Sequence, residues 1–177
     1  MEGAGMTYDE FRRSVKTGDM LLWQSKPTGN LRHDTEIEAV QVSTESPWTH
    51  VGIAWVEYGR AWAMDLTVTG CAPRLLSNDP PQAWINAPRR LSRAGLLYAF
   101  SRFGKMRYSR WQAILGYLRR LAIGNDMLGQ CAEYVIEVYR EGGMAPSEIA
   151  TPAACVEGAL LRWSGAALRR IAKEAAQ

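Results

Sequence analysis

The chain has 177 residues, of which 47% are hydrophobic and 22% charged, and its formal net charge is +3. These values are ordinary for a soluble globular protein and predict one domain, over residues 1–177, with a core of its own. The basic residues are scattered rather than gathered in one block and no run reaches the roughly 18 apolar residues of a membrane span, so we expect neither a nucleic-acid partner nor a transmembrane segment.

The first third of the chain carries two capping-box patterns, Thr-x-x-Glu, at 7–10 and 35–38. Each predicts the start of a helix, the first running to about Lys16 and the second to about Val42. Between them, the compact apolar run 20–23 predicts a strand. The polar segment that follows the second helix contains a proline and is expected to be irregular.

Two strands are predicted next, over 50–56 and 61–69, with a turn near Tyr58-Gly59. A third short strand is expected over 83–86. From here the pattern becomes helical, with apolar residues recurring every three or four positions over 92–103.

Three further helices are predicted over 109–122, over 131–141 and from Thr151-Pro152 almost to the C-terminus. In the last of these, five apolar side chains are expected to pack inward: Val156, Leu160, Leu161, Leu168 and Ile171. Its basic face is expected to be solvated rather than to bind a membrane or an anionic partner. The predicted fold class is α+β, with a small antiparallel sheet packed against helices.

The three cysteines, at positions 71, 131 and 155, are odd in number and lack metal-ligand spacing, which argues against a disulfide framework or a metal site. Cys131 is the candidate nucleophile, because it lies where a glycine-containing loop turns into a helix and a helix N-terminus favours the thiolate. Cys155 is its rival near another helix start, whereas Cys71 is expected to be structural.

A cysteine nucleophile needs a base, and the chain has only two histidines. His50 opens a predicted strand, a more rigid support than the loop that holds His33. Asp65 lies in an apolar strand, where a carboxylate needs a partner. A four-residue hairpin loop centred on Glu57-Tyr58 would place Asp65 directly opposite His50, on the same face of the sheet.

Five segments in this order resemble the YiiX-type branch of the NlpC-like papain-fold cysteine hydrolases: 18–22 (GDMLL), 48–53 (WTHVGI), Asp65, 104–108 (GKMRY) and 131–135 (CAEYV). That branch is circularly permuted, so that histidine precedes cysteine in the chain. The resemblance covers residues 18–158. It implies a circularly permuted papain-like (NlpC-like) fold.

The resemblance also implies a role for each residue of the site. Cys131 would be the nucleophile, His50 the general base and acid, and Asp65 the residue that orients His50. No cofactor and no metal ion are implied. Ala132 departs from the family, whose members commonly have serine at this position.

Other groups near Cys131 and His50 are candidates for supporting roles in the site. The backbone N–H of Cys131 would stabilise the oxyanion, with Tyr108 or Gln130 as candidates for the second donor. Glu133 is interpreted as a favourable acid in the first helical turn rather than as a member of the site. Trp48 could line a substrate cleft or cover the core.

The expected function is cleavage of an amide bond in a peptide or a peptidoglycan peptide. Two alternatives stay open: a lipid acyl hydrolase or acyltransferase of the lecithin–retinol acyltransferase-like type, and a non-catalytic module that keeps the fold. No signal peptide is evident at the start of the chain. We therefore expect a soluble protein, either cytoplasmic or delivered by a phage particle or a secretion apparatus. The sequence predicts no oligomeric state.

Overall fold

The structure is a computed structural model, and it describes residues 6–25, 38, 41, 45–109 and 128–171. The helices expected over 35–42 and 109–122, and the alternative base His33, lie almost wholly outside these residues. Within them, four helices and a six-stranded antiparallel sheet confirm the predicted α+β class.

The elements follow one another in a simple order. Helix α1 (Tyr8–Ser14) is followed by the strands β1 (Met20–Trp23), β2 (His50–Glu57), β3 (Arg60–Thr67), β4 (Gly70–Leu75) and β5 (Ala83–Ile85). Then come α2 (Arg93–Arg102), β6 (Arg107–Tyr108), β7 (Leu128–Gly129), α3 (Cys131–Glu141), α4 (Pro152–Arg162) and β8 (Leu168–Arg170). The main sheet has the order β4-β3-β2-β1-β5-β8, and β6 pairs with β7 in a separate parallel ladder.

Both faces of the main sheet are covered. On one face, residues of β1, β2 and β3 pack with α3 and α4 in the larger core cluster, which includes Val51, Tyr134 and Val156. On the other face, α1 covers the smaller cluster, in which the Phe11 ring contacts the edge of Trp84. Sheet strands buried on both sides explain why β1 is apolar at all four positions.

Local signals positioned several elements correctly. The capping box of α1 is present, with Thr7 and Glu10 bonding each other's backbone N–H groups. Ser92 caps α2 and Thr151 caps α4, each by accepting from the backbone N–H three residues later. Strand β1 has its predicted bounds.

The predicted hairpin register between β2 and β3 is wrong by two residues. Glu57 pairs with Arg60, so the turn has only two residues, Tyr58 and Gly59, whose φ angles of 50° and 71° are those of a type I′ turn. Asp65 is therefore next to Gly52 rather than opposite His50. Because the shift is even, Asp65 and His50 still lie on the same face and meet diagonally.

The prediction for the last helix is also wrong. Helix α4 ends at Arg162, after which Gly165 adopts a φ of +72° and the chain returns as β8 to pair with β5. Val156 is buried as predicted, but Leu160 and Leu161 are exposed. Leu168 and Ile171 are half-buried at the edge of the sheet, not on a helix. The sheet therefore draws its last strand from the C-terminal part of the chain.

Candidate active site

Cys131 is the first residue of α3 and is 3% exposed. Gln130 precedes the helix in an extended conformation, and its side-chain amide donates to the carbonyl of Ala150 instead of capping the helix. The backbone N–H of Cys131 belongs to the first turn, where N–H groups have no partner within the helix. Cys131 thus lies at the start of a helix, as the sequence predicted.

His50 is the first residue of β2, and its ring is held by a buried carboxylate. Its Nε2 lies 2.8 Å from Oδ2 of Asp65 on β3. The Asp65 side chain is fully buried, whereas that of His50 is 19% exposed. Because an ionised carboxylate only accepts hydrogen bonds, the Nε2 nitrogen carries the proton in this pair. The Nδ1 nitrogen is left for another partner.

The side chain of Cys131 affects the pKa of the His50 ring. Burial of the ring lowers the pKa of His50. The charge of Cys131, the hydrogen bonds with Asp65 and Cys131 and the charge of Asp65 outweigh burial and raise that pKa to about 10. The structure therefore joins His50 to Asp65 by a hydrogen bond, and Cys131 is among the groups that favour the imidazolium form of His50.

Arg74 on β4 is a member of the site that the sequence analysis missed. Its Nη2 lies 2.6 Å from Oδ2 of Asp65, and its Nε lies 3.1 Å and 3.2 Å from the two carboxylate oxygens. Burial raises the pKa of the Asp65 carboxyl, but the hydrogen bonds and charges of His50 and Arg74 hold it below its ordinary value. Asp65 is thus shared between an imidazole and a guanidinium.

Trp23 and Gly52 complete the surroundings of this pair. The Trp23 ring lies 5.3 Å from the His50 ring, and the Arg74 guanidinium lies 5.2 Å from the Trp23 centroid. A Cβ at Gly52 would lie 3.1 Å from Cβ of Asp65 and 3.2 Å from Cζ3 of Trp23. The absence of a side chain at Gly52 therefore lets Trp23 and Asp65 approach each other.

The other two cysteines are distinguished by the raised pKa values of their thiols. Cys71 and Cys155 are buried in the larger core cluster. Burial raises the pKa of Cys71 to about 12, and burial together with the nearby Cys131 raises that of Cys155. Both thiols are poorly suited to ionise. Trp48 is buried in the same cluster, which supports its core interpretation.

Glu133 is in the first turn of α3, as interpreted from the sequence, but it is only 9% exposed. Among the residues that the structure describes, its Oε2 has no hydrogen-bond partner. Burial, followed by the charge of Glu137, raises the pKa of Glu133 to about 7, although the backbone N–H of Gln130 partly lowers it. Of the two candidates for a second oxyanion donor, Gln130 is fully buried with its amide bound to Ala150. Tyr108 is half-buried and pairs with Gly129 two residues before Cys131.

Comparison with known proteins identifies a fold. No family model matches the sequence, and no curated protein matches it significantly. Among solved structures, the chain is similar to the crystal structure of the metalloprotein yiiX from Escherichia coli O157:H7, at 16% sequence identity and a TM-score of 0.56. The match covers 90% of this chain and 97% of that one. The protein has a YiiX-like fold.

The YiiX-like fold carries over no ligand by itself. Within the described residues, the His, Cys, Asp and Glu side chains form no group of three or more that could hold a metal ion. Among the same residues, no helix is both long and apolar enough to cross a membrane.

Proposed function

We propose that the protein is a cysteine hydrolase of the circularly permuted papain-like type. It cleaves an amide bond in a peptide, with the short peptides of peptidoglycan as the leading substrate class. The observation that carries the proposal is the hydrogen bond between the His50 ring and the buried Asp65 carboxylate, together with the effect of Cys131, at the start of α3, on the pKa of that ring. The order of His50 before Cys131 and the YiiX-like fold support it.

The proposed mechanism begins with attack of the Cys131 sulfur on the acyl carbon of the scissile amide. The thiol proton is transferred to His50, whose raised pKa of about 10 favours the imidazolium at neutral pH. The backbone N–H of Cys131 donates to the oxyanion of the tetrahedral intermediate. His50 then protonates the leaving amine, which departs and leaves an acyl-thioester on Cys131.

Deacylation reverses these proton transfers. His50, now neutral, takes a proton from water through Nδ1, and the resulting hydroxide attacks the thioester. The Cys131 thiolate leaves and the acid product is released. Throughout, Asp65 accepts the Nε2 proton of His50, which fixes the ring orientation and the tautomer.

The experiment that tests the nucleophile is intact-mass spectrometry after brief treatment with iodoacetamide at neutral pH. A small reagent is needed because Cys131 is only 3% exposed. Cys71 and Cys155 are internal controls, since both are buried thiols with raised pKa values. We expect one label, at Cys131, which is lost in Cys131→Ala and slowed at least tenfold in His50→Ala.

Equal labelling of all three cysteines, or none, would contradict the proposal and favour a non-catalytic module. The bond type is tested with peptidoglycan peptides and with acyl esters, each followed by mass spectrometry of the products. Release of a free acid from a peptide supports the proposal. Cleavage of esters alone, or transfer of the acyl group to an added amine instead of water, would favour the lipid acyl hydrolase or acyltransferase alternative.

A further inference from the structure

Four side chains form a closed ring of contacts around the base. His50 bonds to Asp65, Asp65 to Arg74, the Arg74 guanidinium lies on the Trp23 ring, and Trp23 packs against His50. The four residues lie on four adjacent strands of the sheet, β1, β2, β3 and β4. Each member therefore has two neighbours that restrict its position.

Arg74 is the most firmly held member of this ring. Besides its contacts with Asp65, its Nη1 donates to the carboxylate of Asp79, which follows β4. The backbone carbonyl of Asp79 in turn accepts from the Trp23 indole at 3.4 Å. The N–H groups of the Arg74 guanidinium thus donate to two carboxylates, and its planar face lies against an indole. This arrangement is suited to holding protein groups rather than a substrate.

The charge count explains what Arg74 adds. Two groups act directly on the pKa of His50: the Asp65 carboxylate from β3 and the Cys131 thiol from α3. The Arg74 guanidinium from β4 acts on the pKa of Asp65. An unshared buried carboxylate would direct its whole charge at the imidazole and make the imidazolium a poor proton donor. Arg74 neutralises part of that charge and also holds the carboxylate oxygens at two points.

We propose that Arg74 is a positioning residue for His50, which acts through Asp65 to orient the imidazole and to limit the negative charge presented to it. The inference rests on the proposed function for the role of His50. The geometry of the ring does not depend on which substrate is cleaved. Asp79 is the outer anchor that keeps Arg74 in place.

The test separates the two effects by NMR titration of histidine Cε1 in protein labelled with ¹³C-histidine. The chain has only two histidines, and His33→Gln assigns the signals. A Cys131→Ser background removes the thiol, so His50 then reports Asp65 and Arg74 alone. In this background we compare Arg74→Gln, Arg74→Lys and, as a matched control, Arg162→Gln at an exposed arginine of α4.

We expect Arg74→Gln to raise the pKa of His50 by on the order of one unit, as for neighbouring unit charges at the effective dielectric of a protein. Arg74→Lys keeps a positive charge at position 74, and Arg162→Gln leaves Arg74 in place. We therefore expect both variants to leave the pKa of His50 unchanged. An unchanged or lowered pKa in folded Arg74→Gln would overturn the electrostatic part of the proposal. This result does not require turnover, so it stands even if the proposed hydrolysis is wrong.

The positioning part is tested with Cys131 restored. Arg74→Lys loses the two-point hold on Asp65, so we expect kcat to fall about tenfold with KM unchanged and with the limbs of the pH profile in place. Parental kcat in Arg74→Lys would overturn this part. If no variant and no parent turns over any peptide or ester, the proposed function fails while the titration still decides the role of Arg74.

Discussion

Substitution of Gly52 by alanine tests whether the site depends on close packing between strands. The backbone at Gly52 does not have a positive φ, so alanine is allowed there and its effect on the folded state is steric. The added methyl group would lie 3.1 Å from Cβ of Asp65, 3.2 Å from Cζ3 of Trp23 and 3.4 Å from the carbonyl oxygen of Met64. Carbon atoms in good contact are about 3.5–4.0 Å apart, so Asp65 or Trp23 must move by several tenths of an ångström.

The expected cost follows from two opposing effects. Overpacking of this kind destabilises a folded protein by about 1–3 kcal/mol. Alanine also restricts the unfolded chain, which returns about 0.4–1 kcal/mol. We therefore expect Gly52→Ala to lower the free energy of unfolding by about 1–2 kcal/mol in urea denaturation. Because displaced Asp65 misaligns His50, the rate of Cys131 alkylation at neutral pH should fall about tenfold or more.

Gly59→Ala is the matched control for this prediction. Gly59 lies in the turn between β2 and β3, where an added methyl group would meet no atom of the described part of the chain within 4 Å, but its φ of +71° disfavours alanine. We expect this variant to lose about 1–2 kcal/mol of stability with an unchanged rate of alkylation. If Gly52→Ala keeps the parental alkylation rate, or if Gly59→Ala loses as much of it, the argument that Gly52 provides clearance for the site is refuted.

Three further outcomes are expected. Asp65→Asn should lower the pKa of His50, measured by NMR titration, because it removes a charge and an acceptor that raise it. The Glu133 carboxyl has a pKa of about 7 in the folded protein, above its ordinary value of 4.5. The free energy of unfolding of the parent should therefore fall by up to roughly 3 kcal/mol as pH rises from 4.5 to 7, and Glu133→Gln should abolish this pH dependence. Asp19→Ala should cost about 2–4 kcal/mol in urea denaturation, since it leaves two backbone N–H groups and Asn86 without their acceptor.

Caps and short apolar runs were predictable because their physics is local. Thr7 and Glu10 need only each other and the intervening turn to define the start of α1. Likewise, the four apolar residues of β1 can be recognised without knowing which strands lie beside them. The position of Cys131 at a helix start belongs to the same class of prediction.

The hairpin register was less accessible because its turn lacks the usual sequence signal. A two-residue type I′ turn commonly has asparagine or aspartate before glycine, whereas here Tyr58 adopts the positive φ. Without that signal a four-residue loop is the natural expectation, and the resulting register is wrong by two. The pairing of His50 with Asp65 survives because side chains alternate with a period of two along a strand.

The C-terminal strand was missed because periodicity alone does not show where a helix ends. Apolar residues continue at helical spacing beyond Arg162, yet the chain turns at Gly165, and the Trp163 indole donates to the carbonyl of Met144 at 3.1 Å. The decisive interaction is the pairing of β8 with β5, two elements more than 80 residues apart in the chain. Such a long-range pairing overrides a local helical pattern.

Arg74 was missed for a related reason, and its case explains how the site is built. Without β4 as a strand, an arginine near Cys71 has no defined face and no neighbour. In the structure, Arg74 pairs with Ala63, two residues from Asp65, so both side chains lie on the same face of the sheet. Trp23 is opposite His50 on the same principle. The positions of Trp23, Asp65 and Arg74 around His50 are thus set by the registers of β1 with β2, β2 with β3 and β3 with β4. Cys131, in contrast, lies on a helix. A slip of one residue in any of these registers would remove one member from the ring, which is why strand packing at Gly52 should affect reactivity at Cys131.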